Sequence, residues 1–417
     1  MSSGPEPSGA PPNPAAGLNG NVLRACIVDE IRRRGPISFS RYMEMCLYEP
    51  GLGYYARPRE QFGKAGDFYT SSDVHAVFGR LLARQFEEMW RLLGSPERID
   101  LIELGPGRGL FAADVLDWSA KQFPEFAQAL RCILVEQSAH LRARLHERLA
   151  EYIAAGRATI AESLEDAGAE APVLEGAAQR EPEGPHYPSE GSPLILFANE
   201  FFDALPVDVI DHRGAVRVAE EKGRFVEQFV PPSAEELDYI DHYSVHPEEY
   251  ERVEVSLAAL GWIDRIAQFF RNRPGFAMFI DYGYTREEQL AGRHRDTLMT
   301  YHRHRARASP YEAPGEQDIT AHVNFTALRS RATAQGLDEI GLLTQTQLLL
   351  GIGEETQFAD AFQECWLPQE RAKVALQLRH LLSPEEMGEK FQVLLLSHGV
   401  DRDGAAQLSA VKMLAGR

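Results

Sequence analysis

IDLIELGPGRG, running from Ile99 to Gly109, is a short apolar stretch that breaks into glycines spaced G-x-G-x-G. Six residues of this composition, bounded by turn formers, read as a strand buried on both faces. Leu110–Gln122 follows with helical spacing, so the glycines must fill a strand-to-helix turn. Glycine lets such a turn tighten and lets a ligand approach the backbone, and the helix start offers unpaired N–H groups. A pyrophosphate-binding turn would read G-x-G-x-x-G. Here the spacing is shorter, and Glu103 stands two residues before Gly105, where a carboxylate suits a ligand ammonium group.

The alternation continues outward from this turn. CILVE (Cys132–Glu136) reads as a strand and Ser138–Ile153 as a helix. Ala158–Ala161, LILFAN (Leu194–Asn199) and FAMFIDYG (Phe276–Gly283) read as further strands. Apolar runs between helices describe a doubly wound, Rossmann-like α/β sheet of parallel strands. Glu136 ends the second strand, where one carboxylate can accept both hydroxyl protons of a ribose. Glu103, Gly105, Gly107, Gly109 and Glu136 together describe a nucleoside with an amino-acid end, as in S-adenosylmethionine. Glu136 alone would equally serve a nicotinamide nucleotide, and a purely structural turn would need only the glycines.

Ligands of such sheets sit at the carboxyl ends of the strands, which brings in Asn199-Glu200-Phe201-Phe202-Asp203-Ala204-Leu205-Pro206. Asn199 should face the cofactor. If the segment turns into a helix, Glu200 and Asp203 at i, i+3 share one side. Two carboxylates there could grip a guanidinium, orient one nitrogen toward a methyl donor and help remove its proton. Asp203 acting only as a helix cap, with Glu200 solvated, is the plainer alternative. Asp281-Tyr282-Gly283 could border the same pocket, or only turn the chain.

The 417 residues carry a formal charge of −19, which argues against sequence-independent binding to nucleic acid phosphates. Cys26, Cys46, Cys132 and Cys365 lie far apart, which fits a reducing compartment and argues against a zinc ribbon. No apolar run approaches the ~20 residues that span a bilayer. Residues 1–20 read as a disordered lead without the features of a secretory or transit signal, so a cytoplasmic location is expected. Residues 21–95 read as an N-terminal helical segment and loop: helical from Asn21 to Arg34, then turn-rich over Ile37–Thr70, then helical from Val74 to Leu93. The core falls on 96–206 and 276–400, with 165–193 a flexible loop and 207–275 an insertion of antiparallel strands and a helix. The basic run His294, Arg295, His302, Arg303, His304, Arg305 and Arg307 suits either an acidic partner or solvent. It is too isolated from other ligands to hold a metal, and none is expected.

Several stretches resemble the MidA family, whose mitochondrial members are complex I assembly-factor protein arginine methyltransferases. They are RYMEMCLYEPGLGYY (Arg41–Tyr55), GDFYTSSDVHAVFG (Gly66–Gly79), ELGPGRG, NEFFDALPV (Asn199–Val207), IDYGY (Ile280–Tyr284), GEQDITAHVNF (Gly315–Phe325) and GEKFQVLLLSHG (Gly388–Gly399). They fall in order over nearly the whole chain. The resemblance implies a class I methyltransferase sheet with an N-terminal helical extension and inserted and C-terminal α+β elements. It implies S-adenosylmethionine as donor and a protein arginine as acceptor, with a respiratory complex I subunit as one such substrate. It places Ser163 and Leu164 near the adenine, and Gly66 and Thr70 in a segment closing over the cofactor. In one departure, Asp296 stands where the family commonly has glycine. The expected partner is a protein substrate, without nucleic acid or a membrane span, and a homodimer is among the expected assemblies. A metabolite methyltransferase, a non-catalytic assembly chaperone and a nicotinamide dehydrogenase are the competing readings. Preference for free metabolites, assembly rescued by a Gly107→Val variant, or calorimetric binding of NAD alone would mark each in turn.

Overall fold

A computed structural model describes residues 14–57, 76–169, 191–302, 305–307 and 309–414. Its strands are β1 (Ile37–Ser38), β2 (Ile99–Leu104), β3 (Leu130–Val135), β4 (Ala158–Ala161), β5 (Leu194–Asn199), β6 (Asp208–Asp211), β7 (Gly214–Glu221), β8 (Arg224–Val230) and β9 (Arg252–Val255). There follow β10 (Gly275–Tyr284), β11 (Met299–His302), β12 (Arg305–Arg307), β13 (Asp318–Thr320), β14 (Val323–Asn324), β15 (Asp338–Thr344) and β16 (Phe391–His398).

The central sheet has eight strands in the order β15-β16-β10-β5-β2-β3-β4, with β14 beside β10. β2, β3, β4, β5 and β10 run parallel, and β16 runs antiparallel to both of its neighbours. The chain moves outward from β2 to β3 and β4, then returns to place β5 on the other side of β2. That reversal opens a crevice at the carboxyl ends of β2 and β5, where this kind of sheet binds ligands.

Alternation within the apolar runs explains why the strands are buried throughout. Leu101, Leu134, Ile195 and Phe197 join the hydrophobic cluster on one face, with the helices Ala76–Leu92 and Leu110–Gln122. Ile102, Leu104, Ile133, Leu196 and Ala198 join the other, with the helices Leu257–Phe270 and Phe325–Ala334. Successive side chains of a strand point to opposite faces, so a strand covered on both sides is apolar at nearly every position.

Outside this core, β1-β7-β6-β9, with β8 paired to β7, form a second sheet. Val207, Val209, Val216 and Val218 from this region pack against Leu23, Ile27, Phe39, Tyr42 and Cys46 of the N-terminal helices. The extension is therefore held by the insertion. A small sheet, β12-β11-β13, adds Ile319 to the same cluster.

Several sequence expectations need correction. The first helix runs Pro14–Arg34, so residues 14–20 are not a disordered lead. Proline is favoured at a first helical position, and Ala15 and Ala16 follow it. Phe39–Tyr48 is a helix inside the stretch read as turns, with Ser38 Oγ accepting the Arg41 N–H at its start. Phe39, Tyr42, Met43 and Cys46 give it a buried face at helical spacing. Ser138–Ile153 is two helices, Ala139–Arg148 and Ala150–Ala154. Glu165–Ala169 belongs to the helix Leu164–Ala169, at the start of the segment read as a flexible loop. The helix Leu257–Phe270 packs on the central sheet, so it belongs to the core rather than to the insertion. Asp296, the departure from a family glycine, has φ +56°, a left-handed conformation that glycine adopts with less strain.

Candidate active site

The turn after β2 is built from its backbone outward. Gly105 and Gly109 have φ +63° and +68°. A side chain on Gly105 would place its Cβ 2.9 Å from the Phe201 ring, and one on Gly109 would lie 2.6 Å from Leu145. Gly109 begins the helix Leu110–Gln122 without a side-chain cap, leaving early N–H groups open toward the turn. Above the turn lies a cleft of about 660 Å³. Its walls include Glu103, Gly105, Gly107, Glu136, Glu162, Asn199 and Glu200. The volume suits a ligand of nucleoside size.

Two carboxylates face this cleft under strain of burial. Glu103 is only 7 % exposed, and its Oε2 has no hydrogen-bond partner among the described residues. Burial pushes its carboxyl up to about 8. A buried carboxylate without a partner is costly unless a cation or donor arrives. Glu136 is also pushed up by burial, to about 7, while the Ser138 N–H donates to its Oε1 at 2.8 Å. Arg142 steadies this corner by donating to the Glu136 and Gln137 carbonyls at 2.9 and 2.7 Å and to Glu162 at 2.9 Å.

Beyond β4, the cleft is reached by Glu162 rather than by the side chains of Ser163 and Leu164. Ser163 Oγ accepts the Asp166 N–H at 3.1 Å and donates to the Asp166 carboxylate at 2.6 Å, closing the start of a helix. Leu164 is 1 % exposed in the hydrophobic core. Gly66 and Thr70 lie outside the described residues.

The segment after β5 departs most from expectation. No helix follows; Glu200–Pro206 is a turn, and Glu200 has φ +51°. Glu200 and Asp203 therefore do not share a helix side. Glu200 lines the cleft, and Asn199 Nδ2 donates to its Oε1 at 3.2 Å. Asp203 is buried, accepts the Tyr282 hydroxyl on Oδ2, and has no partner on Oδ1 among the described residues. Burial raises its carboxyl to about 6.

The reason lies at the end of β10. Asp281 Oδ2 accepts the N–H groups of Phe201, Phe202 and Asp203 at 3.2, 3.0 and 3.2 Å, and Oδ1 accepts that of Tyr282 at 3.0 Å. Burial raises the Asp281 carboxyl well above its usual range, reinforced by the charges of Asp203 and Glu200, against the backbone donors. The N-terminal extension adds Tyr48, whose hydroxyl donates to the Ala204 carbonyl at 2.8 Å, and Tyr55, which donates to Asp318 at 2.8 Å. Both tyrosines line the cleft, as does Trp262. The sequence signals for these were present but unspecific: an acidic residue at a strand end and a tyrosine-rich turn. In the basic run, Arg295 is ion-paired with Glu251, and His294 packs beside His322 at 3.2 Å. These two are tied into the fold.

A strand-order reversal, a glycine turn beneath a 660 Å³ cleft and a buried carboxylate oxygen without a partner among the described residues fit the class of S-adenosylmethionine-dependent methyltransferases. The family model described as S-adenosyl-L-methionine-dependent methyltransferase matches residues 81–343, and the chain belongs to that family. It is similar to the crystal structure of a COG1565 superfamily member from Burkholderia thailandensis bound to S-adenosyl-homocysteine. The two are 28% identical with a TM-score of 0.75, covering 97% of this chain and 98% of that one. It is also similar to the mitochondrial protein arginine methyltransferase NDUFAF7 of Mus musculus, 29% identical over 91% of this chain and 86% of that protein. The Homo sapiens counterpart is 28% identical over 98% and 89%. The cofactor is therefore S-adenosylmethionine. Among the described residues, no helix is long and apolar enough to cross a membrane.

Proposed function

We propose that this chain methylates arginine side chains of a protein partner. The observation that carries the reading is the placement of Glu200, the residue after β5, on the wall of the cleft that Glu103 of the adjoining β2 also lines. The similarity to protein arginine methyltransferases supports the same acceptor.

When bound, S-adenosylmethionine supplies a methyl group on a positively charged sulfur. Glu103 would pair with the ammonium of its amino-acid end, beside the turn of Gly105, Gly107 and Gly109 and the open N–H groups at the start of the helix Leu110–Gln122. Glu136 would accept the ribose hydroxyls, and the backbone after β4, near Ser163 and Leu164, would border the base. Asn199 closes the wall between donor and acceptor. Glu200 would attract the guanidinium, orient one of its nitrogens toward the methyl group and accept that nitrogen's proton. Asp203 adds negative charge behind Glu200 rather than a second arm beside it, because Tyr282 holds it.

The test is methyl transfer from labelled S-adenosylmethionine into a lysate of cells lacking this protein, with labelled bands hydrolysed to amino acids. Methylated arginine in a discrete band is expected. Label confined to small molecules, or to another amino acid, would overturn the arginine reading.

A further inference from the structure

The carboxyl end of β10 grips the loop that carries Glu200. Asp281 is 1 % exposed and receives four backbone N–H groups, three of them consecutive, from Phe201 to Asp203. Such a count on one carboxylate fixes a loop as firmly as a helix cap fixes a helix start. Tyr282, the next residue, hydrogen-bonds the carboxylate of Asp203 through its hydroxyl. The Glu200 N–H also donates to the Ile280 carbonyl at 2.9 Å. Three successive β10 residues thus hold both ends of the four-residue stretch from Glu200 to Asp203.

Glu200 itself pays a conformational cost for its position. Its φ of +51° is a left-handed conformation that side-chain-bearing residues adopt seldom, and it persists only where the surroundings enforce it. The enforcement begins at Phe201, the residue immediately after it.

We infer that Asp281 is the positioning residue of the acceptor side: it acts through the backbone of 201–203 to hold Glu200 in its left-handed conformation on the cleft wall. Tyr282 is its auxiliary, fixing the far end of the loop through Asp203. The inference rests on the reading that Glu200 faces the acceptor. It adds that the position of Glu200 is set from another strand, not by its own segment.

Asp281→Asn separates this role from simple packing. Asparagine keeps one carbonyl oxygen for the three loop amides, but it turns an NH₂ group toward the Tyr282 N–H, so donor meets donor. Asp281→Asn, Glu200→Gln and the double variant are compared for initial rate of label transfer into the lysate, and for S-adenosylmethionine dissociation constant by calorimetry. Glu200→Gln should slow transfer about a hundredfold and Asp281→Asn about tenfold, with dissociation constants within about twofold of wild type. The double variant should be no more than about threefold slower than Glu200→Gln, because groups acting as a unit are not additive. Tyr282→Phe, which removes only the hydroxyl, should give a smaller loss with the same non-additivity. Multiplying losses in the double variant, or an Asp281→Asn loss that follows weakened cofactor binding, would overturn the inference. So would an Asp281→Asn loss beside a fully active Glu200→Gln. Failure of the arginine reading would show separately, as label in another amino acid while the rate coupling between Asp281 and Glu200 persisted.

Discussion

The donor and acceptor halves of the cleft are built by opposite means. On the donor side, Glu103 and the glycine turn are consecutive in the chain, and Glu136 ends the adjoining strand. Strand, turn and helix put these groups in place by local geometry. On the acceptor side, the loop from Glu200 to Pro206 has no regular structure of its own. Its backbone is held by Asp281, about 80 residues later, and its Ala204 carbonyl by Tyr48, 156 residues earlier. A constant donor chemistry can thus rest on a self-sufficient local unit, while the acceptor loop takes its shape from whichever distant residues surround it.

If the halves are separable, damage to one should leave the other intact. The largest effect is expected at Glu200→Gln, with methyl transfer about a hundredfold slower and cofactor affinity within about twofold of wild type. A loss of affinity there would join the halves. Gly105→Val should weaken S-adenosylmethionine binding by up to about a hundredfold, because it adds left-handed strain and a clash with Phe201. Phe201 belongs to the acceptor loop, so this is also the substitution most apt to breach the division, and the saturated rate would register any breach. Glu103→Gln should weaken binding about tenfold, in line with losing one charge-assisted hydrogen bond, and leave the saturated rate nearly unchanged.

The smallest effect is one of pH. Burial raises the Glu103 carboxyl to about 8 in the folded protein, above its unfolded value. The native state therefore holds a proton that the unfolded state has released, and the stability so conferred is lost as pH rises toward 8. Relative to Glu103→Gln, the free protein should lose a few degrees of melting temperature between pH 5 and 8. Saturating cofactor should cancel the trend, because its ammonium favours the ionised carboxylate. A wild-type advantage that instead grew with pH would remove Glu103 from the role of buried, unpaired acid.

The same division explains what the sequence made legible. β4 and β5 fall where the apolar runs place them, and the glycine turn opens its helix at Leu110 as read. Periodicity reports burial, and here burial follows the sheet. Glu200 and Asp203 do not share a side, because i, i+3 spacing counts only once a helix exists. Asp281 takes the three amides that would have begun one, and Pro206 has no N–H to continue it. Ser163 was singled out by resemblance, yet its hydroxyl is committed to a helix start. The helix Phe39–Tyr48 was hidden by the turn formers that follow it, although Ser38 and the spacing of Phe39, Tyr42, Met43 and Cys46 mark it plainly.

The separation of the halves is tested most directly by calorimetric titration of S-adenosylmethionine into wild type, Glu103→Gln and Glu200→Gln near pH 7, in two buffers of different ionisation enthalpy. Wild type and Glu200→Gln should bind alike and release the same fraction of a proton, while Glu103→Gln should bind about tenfold more weakly and release less. Weak binding by Glu200→Gln, or proton release unchanged in Glu103→Gln, would contradict a donor site that stands on its own.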